Sequence, residues 1–231
     1  WKSSYQILMK TLTCNLLRTE YNTGSMPNTL AFDTSSPVLS VAVQKRSEPV
    51  QEASLEGFLS HAENLLPLMD DLLKKQGLTL NDIDHLLIGR GPGSFTGLRV
   101  GFASLKGITT LRPLPCWGGL SLDMIAGGVT ELEDGARLAV CLDARRDKLY
   151  VKHYVRENSK WNTQGEARVL TFEEALNSFP QTVTITGDAL ERHQEKLSAK
   201  DKKISYLSSA KWYPKASTLI EWFRENPQEN L

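Results

Sequence analysis

The chain has 231 residues, and its 27 basic and 27 acidic side chains give a formal net charge of zero. This length predicts one large or two small globular domains. The balanced charge argues against the basic patch that direct, strong nucleic-acid binding usually needs. No apolar run approaches the roughly 18 residues of a membrane-spanning helix. The three cysteines are scattered, which favours a reducing, cytoplasmic location.

Residues 1–25 do not fit the pattern of the rest of the chain. Basic side chains outnumber the single acid, Glu20, and a broken apolar run lies within Ile7–Leu17. We interpret this segment as a leader or disordered extension, with Met26 as a plausible start, and leave it out of the fold prediction.

Three strands are predicted next, at Thr29–Thr34, Val38–Gln44 and Pro49–Leu55, and the first two form a hairpin. Asp33 lies at the end of the first strand and is followed by threonine and serine. An aspartate in this position fits two roles. It can hold a metal-bound water or a phosphate, or it can close its own turn through an Asx-type hydrogen bond.

An amphipathic helix is predicted over Gly57–Gln76, stopped by Gly77. Its apolar arc, which includes Phe58, is wide for a helix that only covers a sheet. We therefore expect it to contact a second helix or a partner as well. His61 has no second histidine or cysteine at ligand spacing, so we interpret it as a histidine at the rim of this arc.

A glycine-rich turn joins the strand-like segment Ile83–Ile88 to a helix over Phe95–Leu111. The residues Gly91–Gly93 fit neither element and form the turn, and Ser94 or Thr96 can cap the helix. Such a turn can cradle a phosphate or carboxylate, or it can be a tight turn that needs glycine for its backbone angles. It matches neither a Walker A loop nor a dinucleotide fingerprint.

The helix over Phe95–Leu111 has few polar positions, chiefly Arg99 and Lys106, so it must be covered on more than one side. One side is small, because Gly97 and Gly101 lie four residues apart. We expect this helix and its neighbour to offer an apolar patch to a partner. The expected interface residues are Leu65, Leu68, Met69, Leu72, Gly97, Leu98, Gly101, Phe102 and Leu105.

The rest of the chain alternates strands and helices, which predicts an α/β protein with mixed sheets. A hairpin tip between two of these strands carries Arg145 and Arg146, which fit either an anion contact or a solvated turn. The predicted strands are Leu114–Trp117, Arg137–Asp143, Lys148–Val155 and Thr182–Thr186, and the predicted helices are Gly118–Gly127, Phe172–Ser178, Ala189–Leu197 and Pro214–Asn226.

Four motifs occur in one order along the chain: Asp33-Thr34-Ser35-Ser36, His61-Ala62-Glu63-Asn64-Leu65-Leu66-Pro67, the segment from Gly91 to Arg99, and Asp143-Ala144-Arg145-Arg146. Together they resemble the TsaB (YeaZ) family, over roughly residues 29–223. The resemblance implies an actin-like fold (sugar kinase/Hsp70/actin, RNase H-like) of two related lobes with mixed sheets. We expect a first lobe over 26–130, which carries the partner-binding helices, and a smaller second lobe over 131–231.

The resemblance also implies a function. Members of this family act in the formation of N6-threonylcarbamoyladenosine at position 37 of tRNAs that read codons starting with A. In that system TsaD transfers the threonylcarbamoyl group, TsaE hydrolyses ATP, and TsaB is a non-catalytic subunit that binds TsaD through helices of the first lobe. The resemblance further implies a homodimer when the chain is alone, contact with tRNA only through the complex, and no membrane contact.

The non-catalytic role that the resemblance implies can be tested on the sequence. The TsaD relatives bind a metal through a His-x3-His pair, which lies in the helix after the strand that follows the glycine-rich turn. The matching segment here, Pro115–Asp123, contains no histidine. We therefore expect no catalytic residue, no metal and no cofactor. The Gly-Gly nucleotide motif of the second lobe is also reduced, to Gly187-Asp188.

The remaining candidates for weak nucleotide or anion binding are Asp33, Gly91, Gly93, Ser94 and Asp143. They leave an alternative function open, because the fold class also contains enzymes. In that alternative the chain is a stand-alone ATP-binding protein, ATPase or kinase of the actin-like class, with Asp33, Gly93 and Asp143 around the nucleotide.

Overall fold

Two mixed β-sheets follow one another along the chain in the computed structural model, which describes residues 26–57, 61–199 and 201–225. The strands are β1 Thr29–Asp33, β2 Val38–Gln44, β3 Gln51–Glu56, β4 His85–Gly89, β5 Cys116–Gly119, β6 Arg137–Asp143, β7 Lys148–Glu157, β8 Lys160–Thr163, β9 Arg168–Thr171, β10 Thr182–Thr186 and β11 Lys203–Tyr206. The helices are α1 His61–Lys75, α2 Phe95–Leu111, α3 Ser121–Gly127, α4 Phe172–Ser178, α5 Ala189–His193 and α6 Ala216–Glu225.

The two sheets repeat one topology. The first has the order β3-β2-β1-β4-β5, and the second has the order β8-β7-β6-β10-β11, with β9 also paired to β7. In each sheet the first two strands form an antiparallel hairpin, and the first strand runs parallel to the strand on its other side. The repeat confirms the predicted actin-like fold of two related lobes with mixed sheets.

The strands of the first sheet are covered on both faces, which explains their nearly continuous apolar sequence. Leu30 and Phe32 of β1 point into a core that α1 and α2 close, whereas Ala31 points to the opposite face, where α6 packs. Alternation along β2 and β4 follows the same division. The sheet is therefore the middle layer of a helix–sheet–helix sandwich.

Two helices pack across the predicted lobe boundaries of 26–130 and 131–231, which stay a prediction. Leu122 and Ile125 of α3 pack against β6 and β7 in the second lobe. Leu219 and Phe223 of α6 pack against the first sheet, although α6 is the last described element. The two helices also touch, because the Thr218 Oγ1 donates to the Met124 carbonyl at 2.9 Å.

Most predicted elements are confirmed with small shifts of their ends. The helix predicted over Ala189–Leu197 is α5 followed by a short 3₁₀ turn at Glu195–Leu197. The strands β8, β9 and β11 were not predicted. The leader, Phe58 and Asn226 lie outside the described residues. No helix in the described ranges is long and apolar enough to cross a membrane.

The start of α6 is held by polar groups of the first sheet. The Ser40 Oγ accepts the Ala216 N–H at 2.8 Å and donates to the Glu52 Oε1 at 2.7 Å. The Glu52 carboxylate also accepts the Ser217 hydroxyl at 2.9 Å. A carboxylate at a helix N-terminus is favourable because it satisfies free N–H groups and faces the positive end of the helix dipole.

We expect Glu52→Ala to lower the free energy of unfolding by about 1–2 kcal/mol, because it leaves the start of α6 without this acceptor. Urea unfolding followed by circular dichroism measures the change. Glu48→Ala is the matched control, since its carboxylate meets only Lys45, at 3.6 Å on the surface. Equal effects of the two substitutions would contradict the capping role of Glu52.

Candidate functional site

The first candidate site is the buried carboxylate of Asp33 at the carboxyl end of β1. Its Oδ1 accepts the Ser35 N–H and the Ser35 hydroxyl, both at 2.8 Å, and its Oδ2 accepts the Ser121 hydroxyl at 3.2 Å. The Cβ of any residue replacing Gly89 would lie 1.8 Å from Oδ2. Asp33 therefore makes the Asx-type turn, and donors of its own chain surround it.

The oxygen atoms of this cluster also contact one another. The Ser35 and Ser121 hydroxyl oxygens lie 2.8 Å apart, so Asp33, Ser35 and Ser121 make three mutual oxygen contacts. Burial raises the pKa of Asp33, although hydrogen bonds from the two serines and the charge of His61 act in the opposite direction. The cluster is therefore closed by groups of its own chain.

The glycine-rich turn packs directly on this cluster. The Ser94 N–H donates to the Ser35 carbonyl at 2.6 Å, and the Ser94 Oγ accepts the Gly97 N–H at 3.2 Å and caps α2. A Cβ on Gly93 would lie 2.2 Å from the Ser35 oxygen, and Gly91 has a φ of 81°. The predicted cap is confirmed at Ser94, and these two N–H groups at the start of α2 have acceptors within the chain.

An equivalent arrangement lies in the second lobe, at the carboxyl end of β6. The Asp143 Oδ1 accepts the Arg145 N–H at 2.7 Å, and the Asp143 N–H donates to Asp188 Oδ1 at 2.9 Å. Gly187 is needed here because a Cβ would lie 2.2 Å from the Cys141 carbonyl oxygen. Burial raises the pKa of Asp188 to about 6, and the Asp143 charge adds to the effect. The positions of Asp33 and Asp143 thus correspond in the two lobes.

The structure gathers four of the five predicted nucleotide or anion residues. Asp33, Gly91, Gly93 and Ser94 lie in one cluster, and Asp143 takes the matching position in the other lobe. Their predicted role in binding stays a prediction. Ser121 was not predicted to belong to this cluster, because nothing in its local sequence shows that α3 begins beside β1.

The hairpin tip with two arginines is strongly turned. Arg145, Arg146 and Asp147 all have left-handed backbone angles, with φ of 63°, 51° and 55°. The Arg145 guanidinium lies 3.4 Å from Asp143, and Arg146 is exposed. The choice between an anion contact and a solvated turn stays open at this tip.

The segment that carries a histidine pair in TsaD relatives forms β5 and the start of α3 here. Its polar group nearest to Asp33 is the Ser121 hydroxyl. Among the residues that the structure describes, no three His, Cys, Asp or Glu side chains come close enough to hold a metal ion together. His61, predicted at the rim of α1, is instead buried, and its Nε2 lies 2.9 Å from the Ser36 carbonyl oxygen.

The second candidate site is the helix pair α1 and α2, where most of the predicted interface side chains are buried. Leu68 is half-buried, but the other predicted side chains fill the core of the first lobe against its own sheet. Gly97 and Gly101 face Thr34 of the same chain. The apolar stripes of α1 and α2 face the core of the first lobe, where the first sheet covers them. The predicted interface side chains that are buried, with only 1–7% of each exposed, are Leu65, Met69, Leu72, Leu98, Phe102 and Leu105.

A different set of residues forms the outer face of the helix pair. Leu66 of α1 is 52% exposed, and Phe95 of α2 is 57% exposed. The Arg99 guanidinium lies 3.9 Å from the centroid of the Phe95 ring and covers part of it. We call Leu66, Phe95 and Arg99, with the exposed Ala103, the outer face. The sequence could not separate these residues from the buried ones, because Phe95 shares a helix side with Leu98 and Phe102.

Comparison with known proteins identifies the family of the chain. Residues 58–213 match the family model described as TsaD: tRNA N6-adenosine threonylcarbamoyltransferase. This match spans more than half of the chain. The chain belongs to this family.

Similar proteins within the family carry the name TsaB. The chain is 34% identical over 156 residues to the tRNA threonylcarbamoyladenosine biosynthesis protein TsaB of Haemophilus influenzae, covering 64% of this chain and 66% of that protein. It is also 34% identical over 143 residues to the Escherichia coli protein of the same name, covering 61% of each. The alignments thus span slightly less than two thirds of these relatives.

The fold is also shared with a solved structure, YeaZ from Pseudomonas aeruginosa. The TM-score is 0.74 at 26% identity, and the alignment covers 87% of this chain and 94% of that one. The likeness therefore extends over both lobes.

Proposed function

We propose that this chain is a non-catalytic accessory subunit for threonylcarbamoyl transfer to N6 of adenosine 37 in tRNAs that read codons starting with A. It acts by binding TsaD, together with TsaE, and forms a homodimer when TsaD is absent. The names of the relatives support the pathway, because the proteins from H. influenzae and E. coli are named tRNA threonylcarbamoyladenosine biosynthesis protein TsaB.

The observation that carries the binding role is the outer face of α1 and α2. Leu66 and Phe95 are each more than half exposed, although most large apolar residues of the two helices are buried. Leu111 is also exposed, by 90%, but it lies at the opposite end of α2 from Phe95. Exposed apolar groups beside an arginine are typical of protein–protein contacts, where aromatic and arginine side chains supply much of the binding energy. Two such helix pairs can meet as a four-helix bundle.

TsaD is the proposed partner because this chain belongs to the family that bears its name. Related folds can present equivalent helix pairs to each other, so the same face serves a homodimer and a heterodimer. The neutral overall charge supports contact with tRNA through the complex rather than by this chain alone.

The non-catalytic role is supported by the Asp33 cluster. A carboxylate that holds a metal-bound water or activates a nucleophile needs free acceptor positions toward the substrate. The Asp33 oxygens instead accept hydrogen bonds from Ser35 and Ser121, and the side chain is fully buried. The neighbouring donor, the Ser94 N–H, is also used within the chain.

We expect Leu66→Ala and Phe95→Ala each to weaken binding to TsaD about tenfold, because each removes a large exposed apolar contact. Isothermal titration calorimetry with purified TsaD measures this, and sedimentation equilibrium measures the homodimer. Val169→Ala is the matched control, since Val169 is 53% exposed but lies on β9 of the second lobe. Gly101→Arg is not a useful test, because a Cβ there would lie 2.5 Å from the Thr34 Oγ1.

Two results would contradict the proposal. Unchanged TsaD affinity of the Leu66→Ala/Phe95→Ala double variant would remove the outer face from the interface. Submillimolar binding of ATP with Mg²⁺, accompanied by hydrolysis by the isolated chain, would instead favour the stand-alone ATPase or kinase.

A further inference from the structure

One short turn of the first lobe contacts the starts of three helices. We call Asp33, Thr34, Ser35 and Ser36 the 33–36 turn. The Ser36 carbonyl oxygen lies 2.9 Å from the Nε2 of His61, the first residue of α1. The turn therefore lies beside the beginning of one of the two helices that carry the outer face.

The same turn fixes the start of α2 still more closely. The Thr34 hydroxyl donates to the Gly97 carbonyl at 2.8 Å, and the Ser35 carbonyl accepts the Ser94 N–H at 2.6 Å. A Cβ on Gly97 would lie only 1.9 Å from the Thr34 carbonyl oxygen, so the backbones of the turn and of α2 are in direct contact there. Any displacement of the turn must therefore move the first turn of α2, because close-packed groups transmit strain.

The third contact comes from the second lobe. Ser121 is the first residue of α3, the helix that packs in the second lobe, and it is fully buried. Its hydroxyl lies 2.8 Å from the Ser35 hydroxyl and 3.2 Å from Asp33, and its N–H donates to the Gly91 carbonyl at 2.8 Å. One residue of α3 thus touches both the 33–36 turn and the glycine-rich turn.

The next turn of α3 is anchored separately. The Asp123 Oδ1 accepts the Lys152 ammonium and the Tyr154 hydroxyl, both at 2.7 Å, and both donors lie on β7. The α3 helix is therefore bonded to the second sheet at Asp123 and to the first lobe at Ser121.

We propose that Ser121 is a positioning residue for partner binding: it sets the 33–36 turn, and the turn sets the starts of α1 and α2 that present the outer face. Ser121 itself touches no partner. This proposal depends on the proposed TsaD-binding function, since it concerns the same surface.

The test compares Ser121→Ala with Asp123→Asn, measuring TsaD affinity by calorimetry and amide hydrogen exchange by mass spectrometry. Ser121→Ala is expected to weaken TsaD binding about 3- to 30-fold, the range of coupling through residues that contact no ligand. It should also speed exchange in residues 61–65 and 95–99. Asp123→Asn is the matched control on the same helix, and it should leave both readouts unchanged while lowering stability.

Each alternative result has a defined meaning. Equal loss of affinity in Ser121→Ala and Asp123→Asn contradicts the proposal, since a general loss of stability then explains both. Normal affinity of Ser121→Ala also contradicts it but leaves the proposed function intact. If the unmodified chain does not bind TsaD, the proposed function fails and this inference fails with it. If Ser121→Ala does not fold, Ser121→Cys replaces it, because a thiol is a much weaker hydrogen-bond donor than a hydroxyl and nearly keeps the side-chain shape. The same loss of affinity is then expected, and normal affinity contradicts the proposal.

Discussion

Gly97→Ala is expected to lower the free energy of unfolding by about 3 kcal/mol or more, or to prevent folding altogether. In an open helix the same change stabilises by about 1 kcal/mol, because alanine loses less conformational entropy than glycine. At position 97 the new Cβ would lie 1.9 Å from the Thr34 carbonyl oxygen. That oxygen belongs to the backbone and cannot rotate away, so the steric cost exceeds the gain in helix propensity.

Gly107→Ala is the matched control for this prediction. It lies on the same helix, and a Cβ there meets nothing within 4 Å. We expect it to stabilise by up to about 1 kcal/mol. Chemical denaturation of both variants measures the contrast, which should change sign between the two positions. A Gly97→Ala protein as stable as the unmodified chain would show that α2 can move away from the 33–36 turn.

Asp188→Asn is expected to stabilise the protein increasingly as the pH rises from about 4 to about 7. Burial raises the pKa of Asp188 from 3.8 to about 6, so the folded state holds this proton more tightly than the unfolded state does. The contribution of Asp188 to stability is therefore fully present below pH 3.8 and is lost as the pH rises through about 6. A shift of this size corresponds to about 3 kcal/mol. Asparagine cannot ionise, and its Oδ1 can still accept the Asp143 N–H.

Urea unfolding of both proteins at pH 4 and pH 7.5 measures this difference, which should be near zero at the lower pH and about 2–3 kcal/mol at the higher. Asp147→Asn serves as the control, because it removes an exposed carboxylate whose only ion pair is with Lys196 at 3.2 Å. Surface pairs of this kind contribute about 1 kcal/mol or less. A pH-independent difference between Asp188→Asn and the unmodified chain would show that the Asp188 environment is well solvated.

The sequence predicts best those elements that have both a periodic pattern and a local boundary signal. The helix Phe95–Leu111 is confirmed at both ends, because a glycine-rich turn and a Ser94 cap define its start. The strands Val38–Gln44, Arg137–Asp143 and Thr182–Thr186 are confirmed for a similar reason, since each is a short apolar run next to turn residues.

The strands that were missed are short and lie at or near sheet edges. Lys160–Thr163 and Lys203–Tyr206 each have four residues, too few for an alternating pattern to stand out. Their pairing is set by neighbours distant in sequence, such as Val183 opposite Ile204. A local pattern cannot contain that information.

The interface predicted from apolar stripes stays a prediction, for a physical reason that concerns helices in general. An apolar stripe such as Leu65, Met69 and Leu72 shows that one side of the helix avoids water. It does not show whether a sheet, a neighbouring helix or another molecule covers that side. Here the first sheet covers it, and only the few apolar groups outside the stripe, such as Leu66, face outward.

The packing of α6 on the first sheet affects the order in which the protein folds during synthesis. The face of that sheet opposite α1 is closed by Leu219, Ile220 and Phe223, about 180 residues after the strand that contains Ala42. A nascent chain therefore cannot cover that face of its first sheet until α6 has left the ribosome. Until then the apolar groups on that face stay open to water and to chaperones, and premature termination upstream of residue 216 would leave them permanently uncovered.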